Sequence, residues 1–120
     1  MEAFKLVNAR VKKLAPQLND DGRSLMGRAF GGPNPPLRFN EGKTASERDE
    51  QEGFAHLFMG AMLGIRNPKA HDPFVDVDDD RAADYLAFAS LLMRRLDDVE
   101  QQLAQNSGAP NPQRMSTGEP

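Results

Sequence analysis

Arg66 and His71 are the two residues of this 120-residue chain whose types and spacing best suit chemistry. They bracket the hexapeptide Arg66-Asn67-Pro68-Lys69-Ala70-His71. Arginine is a permanent cation whose planar fork of donors matches a phosphate, and histidine exchanges a proton near neutral pH. One fixed cation and one proton carrier are a minimal kit for handling a phosphodiester. On an unbroken helix, side chains five residues apart point in different directions. Pro68 disfavours helical geometry at Asn67, which places Arg66 at the C-terminal edge of a helix. The chain can then fold back and bring Arg66 and His71 to one pocket. The same residues also suit a rigid corner, with Arg66 on the last helical carbonyls and His71 in a turn.

Other polar groups carry weaker signals. Lys69 is a candidate phosphate contact by charge and proximity alone. His56, one turn after Glu52, reads as a structural polar residue satisfied by Glu52 or a backbone carbonyl. Asp76-x-Asp78-x-Asp80 starts like a calcium loop, but Arg81 stands at its glycine position and Ala87 at its bidentate glutamate position. No metal site is therefore expected, and Asp78 to Asp80 read as caps for a following helix. There is no cysteine, which excludes disulfides, thiolate zinc sites and cysteine nucleophiles.

Four helices are needed to position these groups. Phe4, Val7, Val11, Leu14 and Leu18 recur at spacings of three and four, which predicts an amphipathic helix ending near Ala15, before Pro16. Asp20 or Asp21 can cap a short second helix with Leu25, Met26, Ala29 and Phe30 inward and a stop at Gly31-Gly32. A Pro/Gly-rich loop over 31–43 follows, with Leu37 and Phe39 pinning it to the core. Thr44 and Glu47 have capping-box spacing and start a third helix running to about Ile65. Its predicted apolar face is Phe54, Leu57, Phe58, Ala61, Met62 and Ile65. Gly53, Gly60 and Gly64 fall on a second face and suggest close packing against another helix, including one from a second subunit. Tyr85, Ala89, Leu92, Leu96, Val99 and Leu103 predict a fourth helix from about Arg81 to Ala104. Phe74 to Val77 is the one strand candidate. The chain thus reads as one helical domain over 1–104 and a disordered tail over 105–120.

Charge is unevenly spread. Residues 1–69 carry 11 Lys/Arg against 8 Asp/Glu, and residues 70–120 carry 4 against 10. A polyanion would meet the first part and avoid the second, although the net charge of −3 gives no argument of its own for nucleic acid. No apolar run approaches the roughly 18 residues of a membrane span, and no signal-peptide pattern opens the chain. A cytoplasmic protein is the expectation.

Arg66-Asn67-x-x-x-His71 resembles the signature of the HEPN superfamily, an arginine followed by a polar residue and, after a spacer, a histidine. Leu25-Met26 with Ala29-Phe30, the Pro-rich loop, Gly60-Ala61, Ile65-Arg66-Asn67-Pro68 and Ala70-His71 together resemble the Ymh-like family of small prokaryotic and phage-associated hypothetical proteins. The similarity extends from about Val7 to Asp98, and its closeness to Met1 is compatible with a longer parent chain. The resemblance implies an all-α, HEPN-like bundle of about four helices, commonly a homodimer with the two motifs near the shared interface. It further implies RNA binding and metal-independent endoribonuclease activity without a cofactor, in a toxin or abortive-infection setting that can include an antitoxin or a larger defence protein. Carried onto this chain, Arg66 would hold the scissile phosphate, His71 would be the general base or acid, and Asn67 would orient the phosphate or the imidazole. A non-catalytic nucleotide- or RNA-binding module and a structural dimerisation domain are the alternatives.

Overall fold

Burying Phe4, Val7 and Val11 together requires a helix, because only that period puts all three on one side. The computed structural model describes residues 2–66 and 79–106. Within them α1 (Glu2–Leu14) buries these three side chains completely. The second helix, α2 (Gly22–Phe30), turns Leu25, Met26, Ala29 and Phe30 inward. It stops at Gly31, and Gly32 takes φ +81, a left-handed conformation that side chains disfavour. The third helix, α3 (Ala45–Ala61), opens on a full capping box. Glu47 N donates to Thr44 Oγ1 at 3.0 Å, and Thr44 N donates to Glu47 Oε1 at 3.3 Å. The last, α4 (Asp79–Asn106), buries Ala89, Leu92, Leu96 and Val99 along the predicted stripe.

The described residues form an all-α bundle, in which α1 packs against α4 and α2, and α2 packs against α3. Its centre is aromatic. Phe30 lies 4.6 Å from Phe58 and 4.8 Å from Phe39, ring centre to ring centre, so Phe39 anchors the long loop as expected. Gln51 completes the anchor from inside α3. Its amide donates to Phe30 O at 2.9 Å and Leu37 O at 3.0 Å and accepts from Phe39 N at 2.9 Å. Two arginines fasten α4. Arg10 reaches from α1 to Met93 O, Asp97 and Glu100. Arg95 lies over the Phe54 ring at 4.6 Å and pairs with Glu50 at 2.9 Å.

One expectation for α3 is corrected. Its inward face is Gln51, Ala55, Phe58, Ala61 and Met62, whereas Leu57 is 44% exposed. Apolarity alone points Leu57 inward, but the loop backbone needs an amide at Gln51, and that requirement sets the helix's rotation. Added Cβ atoms at Gly53, Gly60 and Gly64 would meet nothing within 4 Å. No described element of this chain therefore uses the glycine face. Residues 67–78, with Phe74 to Val77 and most of the acidic run, lie outside the described residues, as do 107–120. Among the described residues, no helix is long and apolar enough to cross a membrane.

Candidate functional site

Arg66 reaches its position through an irregular helix end. After Ala61 the α-helix gives way to a π-helical segment, Met62–Arg66, one turn before the predicted end near Ile65. Gly60 and Gly64 hold a regular helix weakly, and Pro68 has no N–H to continue the ladder. A π-turn widens the helix and changes the direction of the side chains beyond it, which is why such segments recur at functional sites. Met62 remains fully buried and Leu63 is 54% exposed. The segment packs against both α1 and α2.

From there the guanidinium crosses to another helix and does not cap its own. Arg66 Nη2 donates to Asp21 Oδ2 at 3.0 Å. Asp21 is the N-cap residue of α2, with extended backbone (φ −142, ψ 153), yet its side chain makes no capping bond. Its carboxylate instead gathers cations and donors from other elements. Lys12 Nζ stands 2.9 Å from Oδ1, and Asn8 Nδ2 donates to the same oxygen at 2.7 Å. Asn8 and Lys12 are four residues apart, so they project from one face of α1. Buried Asn8 also accepts from Gly22 N at 3.0 Å, which supplies the partner that the α2 terminus requires.

Electrostatics fix this corner in one charge state. Hydrogen bonds from Lys12, Asn8 and Arg66 hold the Asp21 carboxyl well below the usual carboxylate range. Gly22 makes room for the cation. It takes φ +59, and a Cβ there would stand 3.0 Å from Arg66 Nη1. Nη1 itself is shielded from solvent and finds no acceptor among the described residues.

Arg66 lines an open hollow of about 540 Å³ together with Asp21, Arg23, Ser24, Arg28 and Met59. The first turn of α2 borders this hollow, so its partial positive charge adds to that of the three arginines. Arg28 is shared with Asp20 at 3.2 Å. A cationic wall with a pre-oriented guanidinium can bind an anion such as a phosphate. Asn67, Lys69 and His71, the other predicted site residues, lie outside the described residues.

A second cleft, of about 730 Å³, opens between α2, the long loop and α3. It meets the first at Gly27 and Met59, which line both. His56 is exposed at its edge beside Glu52 and its side chain makes no hydrogen bond among the described residues, contrary to the expectation of a satisfied structural histidine. Type and spacing in the sequence single out Arg66 and give Asp21 only a capping role, and they assign no part of the site to Asn8, Lys12, Arg23 or Arg28. A signal for the α1 pair existed in the four-residue spacing of Asn8 and Lys12 on its polar face.

Residues 1–96 match the model of the Hypoth_Ymh family, described as a protein of unknown function. The chain belongs to this family. The matched span contains both hollows and the Arg66-to-His71 segment, and it ends inside α4. Among the Ymh-like pattern residues, Leu25, Met26, Ala29, Phe30 and Ala61 are core residues, whereas Arg66 faces a hollow. Searches of curated proteins and of solved structures find no match.

Proposed function

We propose that this Ymh-like protein is a HEPN-type RNA-binding endoribonuclease that works without a metal at the Arg66 corner. The observation that carries the reading is the anchored guanidinium. Asp21 holds Nη2 of an arginine that lines a hollow together with Arg23 and Arg28. Pre-orientation by a fixed hydrogen-bond partner is what a transition-state donor requires, since it spares reorganisation as charge develops.

In the proposed reaction His71 removes the proton from an RNA 2′-hydroxyl, and the oxygen attacks the adjacent phosphorus. A bond from the 2′-oxygen to phosphorus forms, the bond to the 5′-oxygen breaks, and that leaving oxygen takes a proton from solvent, to which His71 afterwards returns the one it removed. Arg66 donates to a non-bridging oxygen throughout, and Asn67 orients the phosphate or the imidazole. Products end in a 2′,3′-cyclic phosphate and a 5′-hydroxyl. The roles of His71 and Asn67 rest on the motif's resemblance to HEPN signatures, and Lys69 is a phosphate contact on charge alone. The working form is a homodimer built on the open glycine face of α3, in a toxin or abortive-infection setting.

The test is cleavage of single-stranded RNA by purified protein in EDTA. The wild type is expected to cut RNA and leave DNA intact. Arg66→Ala and His71→Ala are each expected to lower the rate by roughly 100-fold or more, the usual range for such groups. Unchanged cleavage in both variants overturns the mechanism. RNA binding that needs Arg66, without any cutting, identifies a non-catalytic RNA-binding module instead.

A further inference from the structure

The cleft that adjoins the Arg66 hollow has a composition of its own. Pro33, Ala55 and Met59 give it an apolar side, and Arg38 and Arg48 give it a cationic one. Neither arginine has a carboxylate partner among the described residues; Arg48 only approaches Gly42 O, at 3.4 Å. Gly42 lets Arg38 pack close to the loop, because it takes φ +69 and a Cβ there would stand 3.0 Å from Arg38 Nη1.

The walls are already formed. Gln51 spends its amide on Phe30 O, Leu37 O and Phe39 N. Asn40 spends its own on Glu47 O, Glu50 and Gly42 N. Both amides therefore build the cleft and are not available to a ligand. The free polar groups are Arg38 on the loop and Arg48, Glu52 and His56 along α3, two fixed cations with an acceptor and an imidazole. Apolar walls with a few convergent polar groups are the usual make-up of a small-ligand site, and a volume of about 730 Å³ suits one.

Together the two hollows are lined by five arginines and three carboxylates. This lining is positive in a chain whose net charge is −3. They join at Gly27, where a Cβ would press on Met59 Sδ at 3.2 Å, so the low saddle between them depends on a missing side chain. An anion long enough to span both, with flat apolar parts spaced between its charges, would match this lining. Single-stranded RNA has that form.

We infer that the cleft between α2, the long loop and α3 is a nucleotide subsite. A base lies against Pro33 and Met59 with its polar edge toward Glu52 and His56, and its phosphate sits on Arg38 and Arg48. This inference rests on the RNA reading above and adds the place of a nucleotide next to the one at Arg66. An apolar wall for the base beside cations for its phosphate follows the usual make-up of a small-ligand site.

The experiment is titration of the wild-type protein with AMP, with inorganic phosphate and with a short single-stranded RNA, followed by amide chemical shifts and calorimetry. AMP is expected to shift amides around Gly31, Gly42, Glu52 and His56 and to bind at least tenfold more tightly than phosphate. Arg38→Ala with Arg48→Ala is expected to weaken AMP and RNA at least tenfold, with an unchanged circular dichroism spectrum. Arg66→Ala is expected to leave AMP binding at the cleft intact while weakening RNA. AMP shifts elsewhere, AMP no tighter than phosphate, or RNA affinity unchanged in the double arginine variant each overturn the subsite. In the last case, RNA affinity that still depends on Arg66 leaves the Arg66 reading standing. RNA that needs Arg38 and Arg48 but not Arg66 supports the subsite and sinks the corner.

Discussion

Asp21 is the residue on which the candidate site turns, because Lys12, Asn8 and Arg66 all meet on its carboxylate. Its depressed pKa fixes the sign of a pH effect. The carboxylate is more easily ionised in the folded chain than in the unfolded one, so its stabilisation is complete above about pH 4, its unfolded value. That contribution is lost as the pH falls from there toward the folded value. Asp21→Asn is expected to cost about 1–2 kcal/mol at pH 7, a modest figure because the carboxylate is half exposed and screened. Below about pH 4 the difference should shrink toward zero. Melting of both proteins from pH 7 down to about pH 2 measures this as a difference that narrows progressively below about pH 4, and a difference that stays constant would remove Asp21 as an ionised anchor. Arg66 itself was legible in the sequence through Pro68 and the histidine spacing. Its partner was not. Asp21 lies 45 positions away, and only packing of the π segment against α1 and α2 brings the two together.

At the level of elements, local signals served well where a boundary has local chemistry. Thr44 with Glu47, and Gly31 after Phe30, mark their helix ends in both sequence and structure. The rotation of α3 was not legible, because it depends on what the loop asks of Gln51. A polar residue among apolar ones carries no sign that three buried backbone groups need it. The same dependence predicts a large effect of a conservative-looking change. Gln51→Leu keeps much of the volume but leaves Phe30 O, Leu37 O and Phe39 N without their partner, at a cost of roughly 3 kcal/mol. A domain of this size is stable by only about 5–15 kcal/mol, so the loss is easily read by urea unfolding. Amide exchange at Phe39 should accelerate at the same time. Stability within about 0.5 kcal/mol of wild type would mean that surface substitutions and this one are alike, and Gln51 would not be the loop's anchor.

For the whole molecule, the unused face of α3 bears on assembly. Gly53, Leu57 and Gly60 follow at spacings of four and three, so they share one side of the helix. Both glycines open onto free space, and Leu57 is 44% exposed. In a monomer such glycines only weaken a helix, and Gly→Ala should stabilise it by about 0.5–1 kcal/mol. In the proposed homodimer the missing Cβ atoms let two backbones approach, and the same change should push them apart. Gly53→Ala and Gly60→Ala are therefore expected to shift sedimentation toward monomer while raising the melting temperature of dilute protein. Leu57→Glu should break the dimer without unfolding the subunit, because the core lies on the opposite side of α3. Dimer formation also makes the melting temperature rise with protein concentration, which gives an independent readout for the wild type. A wild type that sediments as a monomer across the micromolar range, or alanine variants that dimerise as well as it does, would leave α3 without a partner. The Arg66 corner would then have to work within a single subunit.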